Sequence, residues 1–326
     1  MSLPDFKLLR PRSLGEAVEM LSRHAGDLQI IAGGTDIIPS LKQRLFTPAY
    51  AMDIRGIDEL HGVRVLQGGG VEIGALTTLS AIEDSEFIRR NYPVLREAAM
   101  TVASPVIRNM ATIGGNICLD TRCLWYNQSL TWRKSCGFCI KKDGNLCHVA
   151  PGGTKCWAAF SGDTPPALLC LGAELEIAGP KGARRVALRD FYTNVGDARM
   201  KLEKNELLAR ISLPVATAGW RGAYTKLRIR GSIDYPLAGV AVALKMNGKV
   251  EDARVAITAV NPAPLLVPNA EHALIGKQVD EYAAGVVGEL AAKTAKPLTT
   301  SALTPEYRRE MVRVFAKRAV LKAARS

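Results

Sequence analysis

The sequence has few aromatic residues and no long apolar segment. Aromatic side chains make up 6% of the 326 residues, and no block of basic residues is interleaved with them, which argues against a groove for single-stranded nucleic acid. The longest apolar run, near residues 237–244, is too short to span a bilayer. Because residues 1–14 also lack the apolar core of a signal peptide, we expect a cytoplasmic protein without membrane or nucleic-acid partners.

Active-site signatures are missing as well. The sequence contains neither a Walker loop nor the G-x-G-x-x-G turn of the doubly wound nucleotide-binding fold, and we find no acid–base pair or nucleophile triad in it. We therefore expect no catalytic residue in this chain. The formal net charge of +12 favours anionic partners such as phosphorylated cofactors or an acidic protein surface, but a solvated basic surface explains it equally well.

Cysteine is the residue with the most uneven distribution. Of the seven cysteines, only Cys170 lies outside the stretch from Thr112 to Asp163. A buried structural thiol behaves as a small hydrophobic group and has no reason to cluster. Since disulfides are rare in the cytosol, the clustered thiols indicate metal binding or redox chemistry. Cys170 falls in an apolar helical pattern, and we expect it in a hydrophobic core.

Two glycine turns precede and open this stretch. An apolar run at residues 28–32 stops at Gly33-Gly34-Thr35-Asp36, and a helical pattern resumes at residues 37–45; the second turn is Thr112-Ile113-Gly114-Gly115-Asn116. A strand, a double-glycine turn and a helix start place backbone N–H groups at the turn, where glycine lets them approach an anion. Each turn alone is a common feature, so the residues alone leave a purely structural role open.

The rest of the chain shows the patterns of short helices and hairpins. Helices are predicted at residues 12–23, 78–92, 93–102 and 165–171, strands at 51–54 and 207–213, and hairpins at 62–66 with 71–75 and at 173–177 with 185–188. Beyond a boundary near residues 214–219, the pattern predicts three strands at 223–230, 237–246 and 253–260 and two helices at 279–294 and 304–325. The last helix is expected to pack on these strands through Tyr307, Met311, Phe315 and Leu321.

The two turns, in this order and about eighty residues apart, resemble those of the FAD-binding subunits of the molybdenum hydroxylases, the xanthine dehydrogenase and carbon monoxide dehydrogenase family. The resemblance covers essentially the whole chain. It implies an α+β fold: a two-lobed FAD-binding domain at residues 1–216, with lobes at about 1–58 and 59–216, and a C-terminal domain at 217–326 with a three-stranded antiparallel sheet and helices.

The resemblance also implies a set of cofactor-binding residues. In that family the first turn wraps the FAD pyrophosphate, and the second turn, with the aspartate after it, holds the ribityl and flavin region. Carried over by position, this implicates Ile30, Ile31, Ala32, Gly33, Gly34, Thr35, Asp36, Ile37, Thr112, Gly115, Asn116 and Asp163. Three further flavin contacts follow from the same likeness: Val102, Leu208 and Lys226. Cys118, which follows the second turn, is expected to belong to the flavin scaffold.

The thiol-bearing segment departs from most of the family. Other members run almost directly from the second turn to the aspartate, whereas roughly forty residues, at about 120–160, intervene here. This insertion is similar to that of the 4-hydroxybenzoyl-CoA reductase branch of the family, which implies a [4Fe-4S] cluster bound by Cys123, Cys139, Cys147 and Cys156. The residues alone leave Cys136 as a rival ligand, because Cys136-Gly137-Phe138-Cys139 is a C-x-x-C motif, and a four-cysteine zinc site as a rival metal.

The function that the resemblance implies is electron transfer. Electrons would pass from a ferredoxin donor through the cluster and FAD to the [2Fe-2S] clusters of a small subunit. They would then reach molybdopterin in a large subunit, where 4-hydroxybenzoyl-CoA is reduced to benzoyl-CoA, in an assembly expected to be a dimer of heterotrimers. The basic loop Lys141-Lys142, with Arg133-Lys134 nearby, is a candidate docking surface for the acidic donor, but solvated charge explains it too.

Three other functions stay open at this point. One is the FAD subunit of another molybdenum hydroxylase that passes electrons to NAD or quinone and has a zinc-stapled insertion. The second is a basic, zinc-containing nucleic-acid-binding module, and the third is a cofactor-free scaffold subunit.

Overall fold

The computed structural model describes residues 2–326 and contains three β-sheets with helices packed on them. One sheet is parallel and the other two are antiparallel, which confirms the predicted α+β class. Within residues 2–326, no helix has both the length and the apolar character needed to cross a bilayer.

The first sheet is parallel and ends at the first glycine turn. Its elements are β1 (Lys7–Leu9), α1 (Leu14–Arg23), β2 (Leu28–Ile31), α2 (Ile37–Lys42) and β3 (Tyr50–Asp53), with strand order β1-β3-β2. Strands β2 and β3 run in register from Leu28 beside Tyr50 to Ile31 beside Asp53. All four residues of β2 remain half-buried, so this edge of the sheet keeps apolar surface that the protein itself does not cover.

The second sheet is antiparallel and has five strands in the order β4-β5-β8-β6-β7. Its elements are β4 (Val63–Val65), β5 (Val71–Gly74), α3 (Leu79–Asp84), α4 (Glu86–Asn91), α5 (Pro93–Met100), α6 (Pro105–Arg108), α7 (Ile113–Ile117), α8 (Leu130–Ser135), α9 (Thr164–Cys170), β6 (Glu174–Gly179), β7 (Gly182–Ala187), α10 (Leu188–Phe191) and β8 (Leu207–Leu213). Helices α3, α5, α7 and α9 bury their apolar faces with this sheet in one large core.

The helix predicted at residues 78–92 is divided in two. Ser85 adopts φ −66° and ψ 113°, which is extended, and its hydroxyl accepts the amide of Ile88 to start α4. Serine is favoured at an N-cap and disfavoured inside a helix. The apolar spacing continues through Ser85, so the sequence pattern does not show the break.

The third sheet holds the predicted C-terminal strands plus one more. The elements are β9 (Arg221–Leu227), β10 (Ala238–Asn247), β11 (Lys249–Thr258), β12 (Leu265–Leu266), α11 (Ala270–Leu274), α12 (Glu281–Thr294) and α13 (Pro305–Arg325). The order is β12-β11-β10-β9, so the expected three-stranded sheet has four strands. The two-residue β12 is too short to show a period in sequence.

The buried face of α13 differs from the expected one. Tyr307 is exposed, and the fully buried residues are Arg308, Val312, Ala316, Ala319, Val320 and Ala323. The face is rotated by about one residue because small alanine side chains let α13 lie close to the sheet and to α12. Large residues such as Phe315 and Leu321 pack only at its edge.

Arg308 joins the C-terminal elements through buried carbonyl groups. It donates to the carbonyls of Leu237 at 2.8 Å, Leu298 at 2.9 Å and Ala259 at 2.5 Å. Burial lowers the pKa of its guanidinium to about 10, and the side chain has no solvent exposure. Arg308 therefore holds three backbone segments together at the end of the sheet.

Arg308→Met is expected to destabilise the protein by about 3–5 kcal/mol, because it leaves three buried carbonyls without donors. The measurement is urea unfolding followed by circular dichroism. Arg309→Met is the matched control, since the adjacent arginine is exposed and its loss should change stability by less than about 0.5 kcal/mol. Equal effects of the two changes would contradict the assigned role of Arg308.

Candidate functional site

The two glycine turns lie against each other. A Cβ atom added to Gly33 would stand 1.8 Å from the carbonyl oxygen of Met110, so the first turn packs directly on the backbone just before the second. Thr112 begins α7, and its hydroxyl accepts the amide of Gly115 at 3.1 Å. Residues far apart in sequence thus form one continuous site at the end of β2.

The first turn presents free amides. Gly34 has φ +75°, a left-handed conformation that suits glycine. Within residues 2–326, the amides of Gly33, Gly34 and Thr35 donate no hydrogen bond to a protein acceptor. Beside them, Ile30 and Ile31 are half-buried, and α2 starts after the turn. Unpaired donors beside apolar surface at the carboxyl end of a parallel strand are typical of a site for a phosphorylated cofactor.

The second turn has an open side and an anchored side. A Cβ added to Gly115 would meet only the Thr112 hydroxyl, at 3.0 Å, so the space beyond it is free of protein. Asn116 points the other way, because its side-chain oxygen accepts the amide of Thr164 at 3.0 Å and the hydroxyl of Thr164 at 2.8 Å. Gly115 is therefore placed to face a ligand, and Asn116 fixes the turn to α9.

Asp163 and Lys226 form a buried ion pair. Their charged groups lie 3.0 Å apart, and both side chains are 3% exposed. Tyr224 donates its hydroxyl to Asp163 at 2.8 Å, and Lys226 also donates to the carbonyl of Thr101 at 2.9 Å. Burial raises the pKa of the Asp163 carboxyl, and the neighbouring Lys226 opposes that shift. The pair ties β9 of the C-terminal sheet to the start of α9.

Lys226→Met is expected to cost about 3–5 kcal/mol of unfolding free energy, because it leaves the buried Asp163 carboxylate without a counter-charge. The control is Lys245→Met on the adjacent strand, whose pair with Glu251 is exposed and should contribute about 0–1 kcal/mol. Chemical denaturation measures both. If the loss at Lys226 is no greater than that at Lys245, the pair has no structural role.

Two other predicted flavin contacts lie in the hydrophobic core. Val102 and Leu208 are almost fully buried and belong to the core of the second sheet. Val102 follows Thr101, which accepts from Lys226, and Leu208 lies on β8 opposite Ile177.

Asp36 makes contacts that the sequence did not reveal. Its carboxylate accepts from Arg122 at 3.1 Å and from the hydroxyl of Tyr235 at 2.7 Å. The Arg122 guanidinium lies 4.0 Å from the centre of the Tyr235 ring. These three residues join the first turn, the insertion and the loop between β9 and β10. They are 86 and 199 positions apart, and no local pattern connects them.

Four thiols of the insertion line one cavity. They are the four that the resemblance implies: Cys123, Cys139, Cys147 and Cys156. Cys136, at the end of α8, is half-exposed and is not among the lining residues. Cys170 is buried in the core of the second sheet, as expected, and Cys118 packs partly buried against that core. Within residues 2–326, no three His, Cys, Asp or Glu side chains are placed to bind a single metal ion.

Burial raises the pKa of two of these thiols. It raises the pKa of Cys123 to about 11 and that of Cys156 to about 12. Metal binding requires thiolates, so a positive metal centre is needed to shift them into the ligating form near neutral pH.

The expected basic docking loop is partly wrong. Arg133 is 2% exposed and donates to the carbonyls of Arg44 at 2.7 Å and Gln43 at 3.4 Å, which fastens the insertion to the first lobe. Lys141 is 5% exposed and pairs with Asp120 at 2.8 Å. Sequence patterns cannot show such burial, because it arises from long-range packing of the insertion.

Comparisons with known proteins agree with this geometry. Residues 4–216 match the family model for the FAD binding domain in molybdopterin dehydrogenase, and residues 222–323 match that for the CO dehydrogenase flavoprotein C-terminal domain. The carbon monoxide dehydrogenase medium chain of Afipia carboxidovorans is 35% identical over 320 residues, covering 98% of this chain and 96% of that protein. The corresponding chain of Hydrogenophaga pseudoflava is 30% identical over 318 residues, covering 97% and 96%. The solved structure of cyanide-inactivated Cu,Mo-CO dehydrogenase is similar with a TM-score of 0.83 at 34% identity, over 100% of this chain and 99% of that one.

Proposed function

Because the chain belongs to the FAD-binding medium subunits of the xanthine dehydrogenase and carbon monoxide dehydrogenase family of molybdenum hydroxylases, we propose that it is the flavin and iron–sulfur subunit of a 4-hydroxybenzoyl-CoA reductase. Membership places it beside a large molybdopterin subunit and a small iron–sulfur subunit in an oxidoreductase complex. The observation that carries the finer proposal is the cavity lined by four thiols in the insertion.

The residues of the double turn fit FAD. The free amides of Gly33, Gly34 and Thr35 match the hydrogen-bond acceptors of a diphosphate. The open side of Gly115 leaves room for the ribityl chain and flavin. Asn116 ties the second turn to Thr164 of α9, next to the Asp163–Lys226 pair. The FAD-binding domain at 1–216 and the C-terminal domain at 217–326 therefore meet where the cofactor would lie.

The thiol cavity fits a cluster larger than one metal ion. Four thiolates around one zinc stand about 3.8 Å apart, since each Zn–S bond is ~2.3 Å long. In a cubane cluster each thiolate binds a different iron, so the sulfurs stand further apart around a central volume. Cys123, Cys139, Cys147 and Cys156 line one cavity, and within residues 2–326 no three potential ligands are placed around a single ion, so we favour [4Fe-4S] over zinc.

The chain itself holds the two cofactor-binding segments close enough for electron transfer between them. When bound, FAD supplies one- and two-electron chemistry and a cubane supplies one-electron chemistry. Arg122, next to Cys123, pairs with Asp36 of the first turn, so the two cofactor-binding segments are held directly to each other. This arrangement supports a route from a donor, through the insertion and the flavin site, toward the [2Fe-2S] clusters and molybdenum of the partner subunits.

The donor side of the insertion has an aromatic path. Trp132 is exposed, its ring lies 5.7 Å from that of Trp125, and Trp125 stacks on His148 at 4.3 Å. Trp125 and His148 both line the thiol cavity, and the exposed Lys134 lies two residues after Trp132 on α8. We place the docking site of an acidic, ferredoxin-type donor here, in the cytoplasm.

A second candidate is the medium subunit of an oxidising hydroxylase of the carbon monoxide dehydrogenase type. The identity of 35% over 98% of the chain favours it. In that case electrons enter FAD from the molybdenum subunit and leave to NAD or quinone, and the insertion is a zinc-stapled loop.

The experiment is anaerobic purification of the whole complex, followed by flavin, iron, sulfide and zinc analysis of this subunit. We expect one FAD and about four irons and four sulfides per chain. The reduced complex should then be reoxidised by 4-hydroxybenzoyl-CoA, with benzoyl-CoA as the product. Zinc in place of iron, together with flavin reduction by carbon monoxide, would establish the second candidate instead.

A further inference from the structure

A buried lysine faces the thiol cavity. Among the residues that line it within residues 2–326, Lys141 is the one whose side chain carries a fixed charge, and that side chain is 5% exposed. Burial of an ammonium group is costly unless the group is paired, so the partners of Lys141 decide whether its charge is stable at this position.

The ammonium group is held on every side. Lys141 donates to the carboxylate of Asp120 at 2.8 Å and to the carbonyls of Thr121 and Gly196, both at 3.1 Å. It also bonds the hydroxyl of Thr121 and lies 4.6 Å from the centre of the Tyr126 ring. Such a shell fixes the charge at one position beside the cavity.

Asp120 does not need this lysine for charge balance. Arg199 already lies 3.3 Å from the same carboxylate oxygen, and it also donates to the carbonyls of Leu119 at 3.0 Å and Cys118 at 3.2 Å. Two cations for one carboxylate leave one net positive charge. Lys141 is the member of the trio that reaches the thiols, so this excess acts on whatever they bind.

We propose that Lys141 raises the reduction potential of the cluster and that Asp120 partly offsets this effect. This inference rests on the proposed [4Fe-4S] site. An added electron makes a cluster more negative, and a fixed positive charge in a poorly solvated site stabilises that state. Lys141 therefore raises the midpoint potential and Asp120 lowers it. The pair is a positioning and electrostatic device, since neither residue supplies a ligand.

The test is a redox titration of the anaerobic complex, followed by the visible and electron paramagnetic resonance signals of this cluster. Lys141→Gln should shift its midpoint potential downward, and Asp120→Asn should shift it upward. Lys142→Gln is the matched control: it removes the same charge one residue away, outside the cavity lining, and should leave the potential unchanged. Iron and flavin are quantified for each variant.

Opposite shifts in the two variants support the proposal, because structural damage has no reason to change sign. Unchanged potentials with full iron, or shifts in the same direction, overturn it while leaving the proposed function intact. If Lys141→Gln fails to retain iron, Lys141→Arg, which keeps the charge, and Asp120→Asn decide the question. Unaltered protein without iron and sulfide would refute the proposed cluster and this inference together.

Discussion

Cys139→Ser is expected to remove about four irons per chain while leaving FAD in place. Cys139 is buried and lines the cavity with three other thiols, and a cubane that loses one of four thiolate ligands is not retained stably. Within residues 2–326, the backbone hydrogen bonds of Cys139 go to Lys142 and Gly144 and not to either glycine turn, and FAD should therefore remain stoichiometric. The measurement is iron, sulfide and flavin content after anaerobic purification.

The matched control for this change is Cys136→Ser. Cys136 shares the C-x-x-C motif with Cys139 but lies outside the cavity lining, so the cluster should persist. Cys170→Ser, in the core of the second sheet, should likewise keep full iron. Loss of iron in Cys136→Ser together with its retention in Cys123→Ser would show that the ligand set is wrong.

Gly115→Leu is expected to abolish FAD binding and to leave the iron content unchanged. A Cβ at Gly115 meets only the Thr112 hydroxyl, at a close 3.0 Å, so a small shift of that side chain admits the added atoms and the leucine enters the space assigned to the cofactor. Fluorescence of released flavin measures the loss, and the unfolding transition of the FAD-free protein tests the fold separately. That transition should be close to that of unaltered protein stripped of FAD.

Substitutions at two other glycines serve as comparisons for Gly115→Leu. Gly33→Ala forces a Cβ into the carbonyl of Met110, and we expect it to destabilise the fold as well as FAD binding. Gly15→Ala has no atom within 4 Å of the new Cβ and lies in α1, where alanine is favoured by roughly 0.5–1 kcal/mol. It should retain FAD. Stoichiometric flavin in Gly115→Leu would refute the assignment of the second turn to the cofactor.

Local pattern was sufficient for most elements, whereas the site residues rest on the family resemblance. The apolar runs, the two glycine turns and the caps determine their elements through neighbours a few residues away. The glycine pair at Gly33 and Gly34 was recognisable because glycine is needed both at the close approach to Met110 and at the positive φ. Tyr224 was missed, yet it lies two residues before Lys226 on β9 and therefore on the same face.

Other features depend on contacts between distant segments. Asp36 was identified only as a cofactor residue, but Arg122 and Tyr235 come to it from two other parts of the chain. Arg133 and Lys141 appeared to be surface cations because basic residues are usually exposed. Their burial follows from how the insertion packs on the first lobe, through Arg44 and Gln43, and a linear pattern contains no record of that packing.

The two ends of the insertion lie next to each other. Arg122 and Ala159 exchange two amide–carbonyl hydrogen bonds, of 2.7 and 2.8 Å, which hold the entering and leaving segments side by side. A tight turn can therefore replace the whole insertion without moving its two ends. Such a deletion would uncover Leu45, which is fully buried beside the thiols.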